Sequence, residues 1–189
     1  MRILSAGDSR KIAGSVASLN RKWWMVWGKS YAPPVLAMTR YYPYYFQSWK
    51  VTAPKTLGRT AKVLLFTGVN GMNRSVGPAT EWPVGEELEV DPEEVIPAHT
   101  LQAEAEELSR EYIEKFVRRR YRPSKPSNIE REGFELVYVP YYVYAREGRP
   151  LQKAALIEGF TGAVGRVKDV PPVLQSILEE RTVDVVEGR

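Results

Sequence analysis

Apolar positions along this chain follow two rhythms, one near 3.6 residues and one of two. Ile12, Val16, Leu19, Trp23 and Val26 fall at steps of four, three, four and three. They form one face of a helix, with Asp8 or Ser9 as N-cap. Trp23-Trp24-Met25-Val26-Trp27 equally fits a buried strand, so the helix weakens around Asn20 or Gly28, and Tyr31-Ala32-Pro33-Pro34 then forces an extended connection. Val35 to Trp49 predicts a long aromatic strand. Pro43 has no amide to donate, which points to a sheet edge or a bulge. A turn over residues 53–58 leads to a second strand, Thr60 to Thr67. Gly68 and Gly71 supply a tight turn, and the acidic stretch Glu86 to Glu94 reads as solvated loop.

The second half repeats this order. Thr100 is placed to cap a helix with the stripe Leu101, Ala105, Leu108, Tyr112 and Phe116. Glutamates at its start and arginines at its end each suit the helix dipole by about 0.3–1 kcal/mol. Glu106/Arg110, Glu111/Lys115 and Glu114/Arg118 are spaced as i,i+4 pairs. Pro123 and Pro126 stop the helix. Strands Glu135 to Ala145 and Gln152 to Phe160 flank a turn at Arg146-Glu147-Gly148-Arg149-Pro150. A helix, Pro171 to Glu180, and a short strand, Thr182 to Val186, follow.

Two phrases recur in the same order. Tyr42-Pro43-Tyr44-Tyr45-Phe46 is echoed by Val139-Pro140-Tyr141-Tyr142-Val143, with the prolines 97 positions apart. Phe66-Thr67-Gly68 is echoed by Phe160-Thr161-Gly162, 94 positions apart. The expectation is an internal duplication. The fold class it predicts is α+β, with two tandem helix–hairpin repeats forming an antiparallel sheet packed by helices. One domain would cover residues 1–98, including the acidic linker. The other would cover 99–189, with the C-terminal helix and strand.

The helix, the strand Leu136-Val137-Tyr138-Val139, the Glu147-Gly148 turn and the run Ala155-Leu156-Ile157-Glu158-Gly159-Phe160-Thr161-Gly162 resemble PepSY-like domains. In that family a helix precedes a hairpin whose second strand ends in an acidic residue and a Thr-Gly turn. Glu158 stands where the family has aspartate, and Leu64 occupies the acidic position in the first half. The resemblance covers residues 100–167 and, faintly, 10–71. It implies a non-catalytic module concerned with binding or inhibition.

Composition narrows the chemistry. The chain has 189 residues, 43% hydrophobic and 26% charged, without cysteine. This excludes disulfides, thiol nucleophiles and cysteine-bound metals. The one histidine, His99, follows Pro97-Ala98 and suits a loop or cap. No window holds the ~18 consecutive apolar residues a membrane span requires, and a cytoplasmic address is expected. Charge is segregated. Residues 1–62 carry eleven Lys or Arg against Asp8, and residues 63–107 carry ten acids against Arg74. Residues 108–131 return to eight cations against three acids. Neighbouring basic and acidic stretches would partly neutralise one another.

No catalytic, metal or cofactor signature emerges, and none is expected. Gly28-Lys29-Ser30 is not a phosphate loop, because Trp23 stands where a glycine is needed. Gly68 to Arg74 suits an anion nest or a shared structural turn. Arg118, Arg119, Arg120 and Arg122, with Tyr121 and Lys125, fit a polyanion footprint. They equally fit a helix end dressed in favourable cations. Trp23, Trp24 and Trp27 suit core packing, a protein-binding patch or a membrane surface. Tyr44, Tyr45, Tyr141 and Tyr142 suit a ligand or protein-binding face, or a repeated sheet edge. The leading expectation is a non-catalytic binding module whose partner is a protein or a second copy of the chain. The alternative is a basic nucleic-acid-associated or particle-assembly protein using Arg118 to Arg122 and the N-terminal lysines and arginines. A membrane-peripheral domain comes third, with a membrane the least favoured partner.

Overall fold

The computed structural model describes residues 2–4, 9–24, 34–55 and 59–178. Its strands are β1 (Arg2–Leu4), β2 (Val35–Pro54), β3 (Thr60–Asn70), β4 (Val76–Ala79), β5 (Gly85–Glu87), β6 (Asn128–Ala145), β7 (Ala155–Glu158) and β8 (Val164–Arg166). Its helices are α1 (Ser9–Trp24), α2 (Gln102–Tyr121) and α3 over 171–178. The expected strand over 182–186, the end of the last helix and Trp27 lie outside the described residues.

The fold class corrects the expectation. The chain is strand-dominated and mostly antiparallel, not two tandem helix–hairpin repeats. The physical reason is where the helices bury their apolar faces. α2 packs on the β2–β3 hairpin that comes before it, and from the hairpin that follows it meets only the first half of β6, at Ile129, Phe134 and Leu136. The chain accordingly divides into two compact units, each drawn from both halves of the sequence. The first holds Met1–Tyr42, Gly85–Pro97 and Tyr138–Arg189, and the second Pro43–Val84 and Ala98–Val137.

In the second unit β2 and β3 pair from Tyr44↔Asn70 to Pro54↔Thr60, and β4 adds to β3. One pleat face presents Trp49, Val51 and Ala53 to Ile113 and Val117 of α2. The buried helix face is Ala105, Ser109, Ile113 and Val117, while Leu101 is exposed. The observed stripe is thus rotated from the predicted one, because a serine faces inward. Trp49 Nε1 donates to Ser109 Oγ at 2.8 Å and to Thr67 Oγ1 at 3.3 Å. Gln47 Nε2 donates to the Ala105 carbonyl at 2.8 Å.

Leu101, not Thr100, is the N-cap, and it supplies no side-chain bond. Gly71 holds this entrance instead. Its amide donates to the Pro43 carbonyl at 2.9 Å, and Pro43 has no amide to return the bond. The Gly71 carbonyl therefore accepts from His99 and Thr100, each at 2.9 Å. Pro43 is not at an edge, since β2 lies between β3 and β6 in the strand order. It sits where the β3 ladder ends. In the turn after β3, Asn70 Oδ1 accepts the Met72 and Asn73 amides at 2.9 and 3.1 Å.

In the first unit β6 pairs with β7 from Tyr141↔Glu158 to Tyr144↔Ala155, and β8 adds to β7. The Gly159 amide donates to the Pro140 carbonyl at 2.7 Å. Glu158 caps the turn, its two oxygens accepting the Phe160 and Thr161 amides, each at 2.9 Å. Two short parallel contacts fall two residues before the two prolines, Tyr41 with Val95 and Ile3 with Tyr138. The acidic stretch is not all loop, for β5 pairs antiparallel with β1, Arg2 opposite Glu87. α1 lies near the β7–β8 turn, where Ser15 Oγ donates to the Gly162 carbonyl at 2.7 Å. Arg40 is buried on β2 and donates from Nε to Ser176 Oγ of α3 at 3.3 Å.

Candidate functional site

The tyrosines singled out from sequence divide between packing and partial exposure. Tyr45 is buried, its ring 5.6 Å from Phe134 and its hydroxyl donating to the Thr100 carbonyl at 2.8 Å. Tyr141 is buried against Tyr42, ring centroids 5.3 Å apart. Tyr44 and Tyr142 are half-buried. The Tyr142 hydroxyl has its pKa raised, first by burial and then by Tyr41 and Tyr144. Burial likewise raises the Tyr41 and Tyr138 phenols, with Glu94 adding to the effect at Tyr41. Trp23 and Trp24 lie in the last turn of α1.

The glycine-marked turn at 68–74 spends its amides internally. Met72 and Asn73 donate to Asn70 Oδ1, and Arg74 donates to the Asn70 carbonyl at 3.2 Å. The Arg74 side chain faces Glu104 at 3.0 Å. An anion nest needs amides aimed at an open concavity, so this is a structural turn. Glu158 and Thr161 are bound to each other in the same way. Among the described residues, no group of three or more His, Asp or Glu is placed to hold a metal ion. Among them, too, no helix is long and apolar enough to cross a membrane.

The basic end of α2 differs in that the fold enlarges it. α2 ends at Tyr121 because Arg122 takes the left-handed conformation, φ 44°, just before Pro123. The chain then turns against the end of β2, where Ser124 donates its amide to the Pro54 carbonyl at 2.9 Å. That contact brings the β2–β3 turn beside the helix terminus. The Lys55 amide donates to the Arg59 carbonyl at 2.7 Å, and Lys55 Nζ lies 5.8 Å from the centre of the Tyr121 ring. Lys55 and Arg59 thereby join Arg118, Arg119, Arg120, Arg122 and Lys125, all exposed.

Charge compensation is sparse at this end of the second unit. Arg118 faces Glu114 at 3.8 Å. Among the described residues, no ion pair within 4.0 Å involves the other six cations. Three other glutamates of α2 are used elsewhere, Glu111 by Lys115 at 2.9 Å, Glu106 by Arg131 and Glu104 by Arg74. Beside the cluster lies a cavity of about 320 Å³ lined by Glu114, Arg118, Pro126, Ser127 and Ile129, among others. Ser127 Oγ is buried there without a hydrogen-bond partner. A hydroxyl donor next to a guanidinium is the pairing that phosphate oxygens accept.

No family model, curated protein or solved structure matches the chain. The PepSY-like resemblance gains no support from that side, and function must be argued from the residues. Sequence inspection finds five of the seven cations. It does not single out Lys55 and Arg59, which enter only among the N-terminal lysines and arginines, because they lie more than fifty residues from the arginine run. The available signal is the surplus of cations in residues 1–62, which has almost no acidic partner in its own segment.

Proposed function

We propose that this chain is a non-catalytic binding module whose partner is nucleic acid, held through its phosphates at the basic end of the second unit. The convergence of Lys55 and Arg59 with Arg118, Arg119, Arg120, Arg122 and Lys125 carries this reading. The helix dipole accounts for cations in the last turn of α2, at about 0.3–1 kcal/mol each. It does not account for cations on a separate hairpin turn or beyond Pro123. Gathering seven like charges costs stability through self-repulsion, and a polyanionic partner relieves that cost. Tyr121 and the Arg118–Ser127 cavity add a ring and a hydroxyl donor beside the charges, which suits exposed bases and phosphates.

The test is fluorescence anisotropy of a labelled short oligothymidylate over a salt series. Binding should weaken linearly on a log–log scale, with a slope of roughly −0.7 per phosphate neutralised. The Lys55→Ala, Arg119→Ala, Arg122→Ala triple variant should flatten the slope by about 2 and weaken binding at least tenfold near 50 mM salt. The reading is overturned if the oligonucleotide does not bind at low salt or if the triple variant binds as well as the parent. Preference for phosphatidylserine vesicles over the oligonucleotide would overturn it equally.

A further inference from the structure

A second cationic feature lies in the first unit, and no motif in the sequence announces it. β6 ends at Ala145, and a tight turn follows in which Arg149 donates its amide to the Arg146 carbonyl at 3.1 Å. Gly148 takes φ 70° to close it. Pro150 opens a single 3-10 turn, Leu151–Lys153, and a second, Val167–Asp169, follows β8. The Val167 amide donates to the Ala154 carbonyl at 3.1 Å and ties the second turn to the end of the first. The two turns and the β7–β8 pair border a cleft of about 870 Å³.

The cleft has two kinds of wall. Leu19, Pro34, Ala154, Ala155 and Val164 supply apolar surface, with Tyr144 beside them. Arg146, Arg149, Lys153, Arg166 and Lys168 supply five cations against one carboxylate, Asp169. That carboxylate faces Arg166 at 3.1 Å. Arg146 and Arg149 each carry a further interaction, so Lys153 and Lys168 are the cations on which a test belongs. Small residues create the volume, and a Cβ added at Gly165 would meet nothing within 4 Å. A cavity of this size, mostly apolar with a few charges of one sign, is the usual form of a small-ligand site.

We infer that this cleft binds an amphiphilic organic anion, an unbranched apolar chain ending in a phosphate or carboxylate. The apolar wall excludes a bare inorganic anion as the preferred ligand, since its contacts would be wasted on one. The cation surplus excludes a neutral or cationic amphiphile, whose head would be repelled or left unpaired. The site is separate from the nucleic-acid surface proposed above and does not rest on it.

Isothermal titration with decyl phosphate, octyl phosphate, decyltrimethylammonium and inorganic phosphate decides the matter, each kept below its micelle concentration. Decyl phosphate should bind at one site. Octyl phosphate should bind roughly fifteenfold more weakly, as about fourfold for each of two methylenes requires. Inorganic phosphate should bind more weakly still, and decyltrimethylammonium not at all. Decanoate distinguishes the head groups, and binding of either anion supports the inference. Lys153→Glu with Lys168→Glu should weaken decyl phosphate at least tenfold. Gly165→Phe, whose Cβ meets nothing within 4 Å, should abolish binding by filling the cleft. Both should leave oligothymidylate binding unchanged. Failure of both decyl phosphate and decanoate to bind, equal binding of decyltrimethylammonium, or unchanged affinity in the Gly165→Phe protein would each overturn the inference. If the double charge variant fails to fold, the Gly165→Phe protein alone is decisive.

Discussion

After β3 the chain reverses through Asn70-Gly71-Met72-Asn73-Arg74-Ser75, and after β7 through Glu158-Gly159-Phe160-Thr161-Gly162-Ala163. The first turn belongs to the second unit and the other to the first unit. Their hydrogen bonds match position by position. In each, the side chain of the first residue accepts two amides, through one oxygen of Asn70 and through both of Glu158, and its carbonyl accepts the amide four residues on. In each, its own amide donates to the carbonyl five residues on. In each, the fourth residue's side chain accepts from the sixth residue's amide. The fifth residue is left-handed in both, Arg74 at φ 60° and Gly162 at φ 73°. The side chains differ almost throughout. Backbone geometry demands an acceptor, a small second residue and a left-handed fifth one, and several residue types meet each demand at different cost.

The second position should show the largest asymmetry. A Cβ at Gly159 would stand 2.6 Å from Pro140 Cγ and 2.7 Å from its carbonyl oxygen. At Gly71 the nearest approaches are 2.9 Å to Pro43 Cβ and 3.0 Å to its oxygen. Gly159→Ala should therefore destabilise by about 3 kcal/mol, and Gly71→Ala by about half as much. Urea midpoints at constant m-value check the order. Equal losses would mean that the two prolines do not constrain their turns differently.

The capping residue comes next. Asn70 is buried, and Asn70→Ala strands two amides near protein, costing about 2 kcal/mol. Glu158 is half-buried, water can replace it, and Glu158→Ala should cost about 1 kcal/mol. Amide exchange at Met72, Asn73, Phe160 and Thr161 would show whether each loss is local.

The left-handed position should give the smallest effects, of opposite sign. Gly162→Ala should cost about 1 kcal/mol, because an L-residue there is strained. Arg74→Gly should gain about 0.5 kcal/mol or less, since relief of strain is offset by loss of the exposed pair with Glu104. Thermal melts of the two variants moving in the same direction would break the equivalence of the turns.

This comparison explains what the sequence could and could not convey. Periodicity located α2, both long strands and the hairpins, because burial on one face leaves a repeating trace. It placed the echo around Pro43 and Pro140, where each proline carbonyl does receive a glycine amide. It misaligned the second echo. Phe66-Thr67-Gly68 lies within β3, with Thr67 buried beside Trp49, whereas Phe160-Thr161-Gly162 lies in the turn. The positional partner of Phe160-Thr161-Gly162 is Met72-Asn73-Arg74, which shares no residue with it. Letter identity failed because hydrogen bonds ask for an oxygen at a place, not for a named side chain. The choice of hairpin under α2 was equally hidden, because an apolar stripe specifies that a face is covered and not by what. Among site residues, the arginine run was visible as a local cluster, while Lys55 and Arg59 depend on a contact between Ser124 and Pro54 that no local pattern encodes.

Trp49 reaches into α2 at Ser109, a polar peg in an otherwise greasy seat. Slipping the helix by one residue would swing that hydroxyl about 100° away and leave the indole N–H only its longer bond to Thr67 Oγ1. The helix is therefore indexed, like a key cut to stop at one depth. Guanidinium groups about three turns further on inherit that phase, so their spacing is set before any partner arrives. The nucleic-acid binding proposed above would then measure distance along a strand of negative charge, and it would ask no reordering of the protein backbone in return.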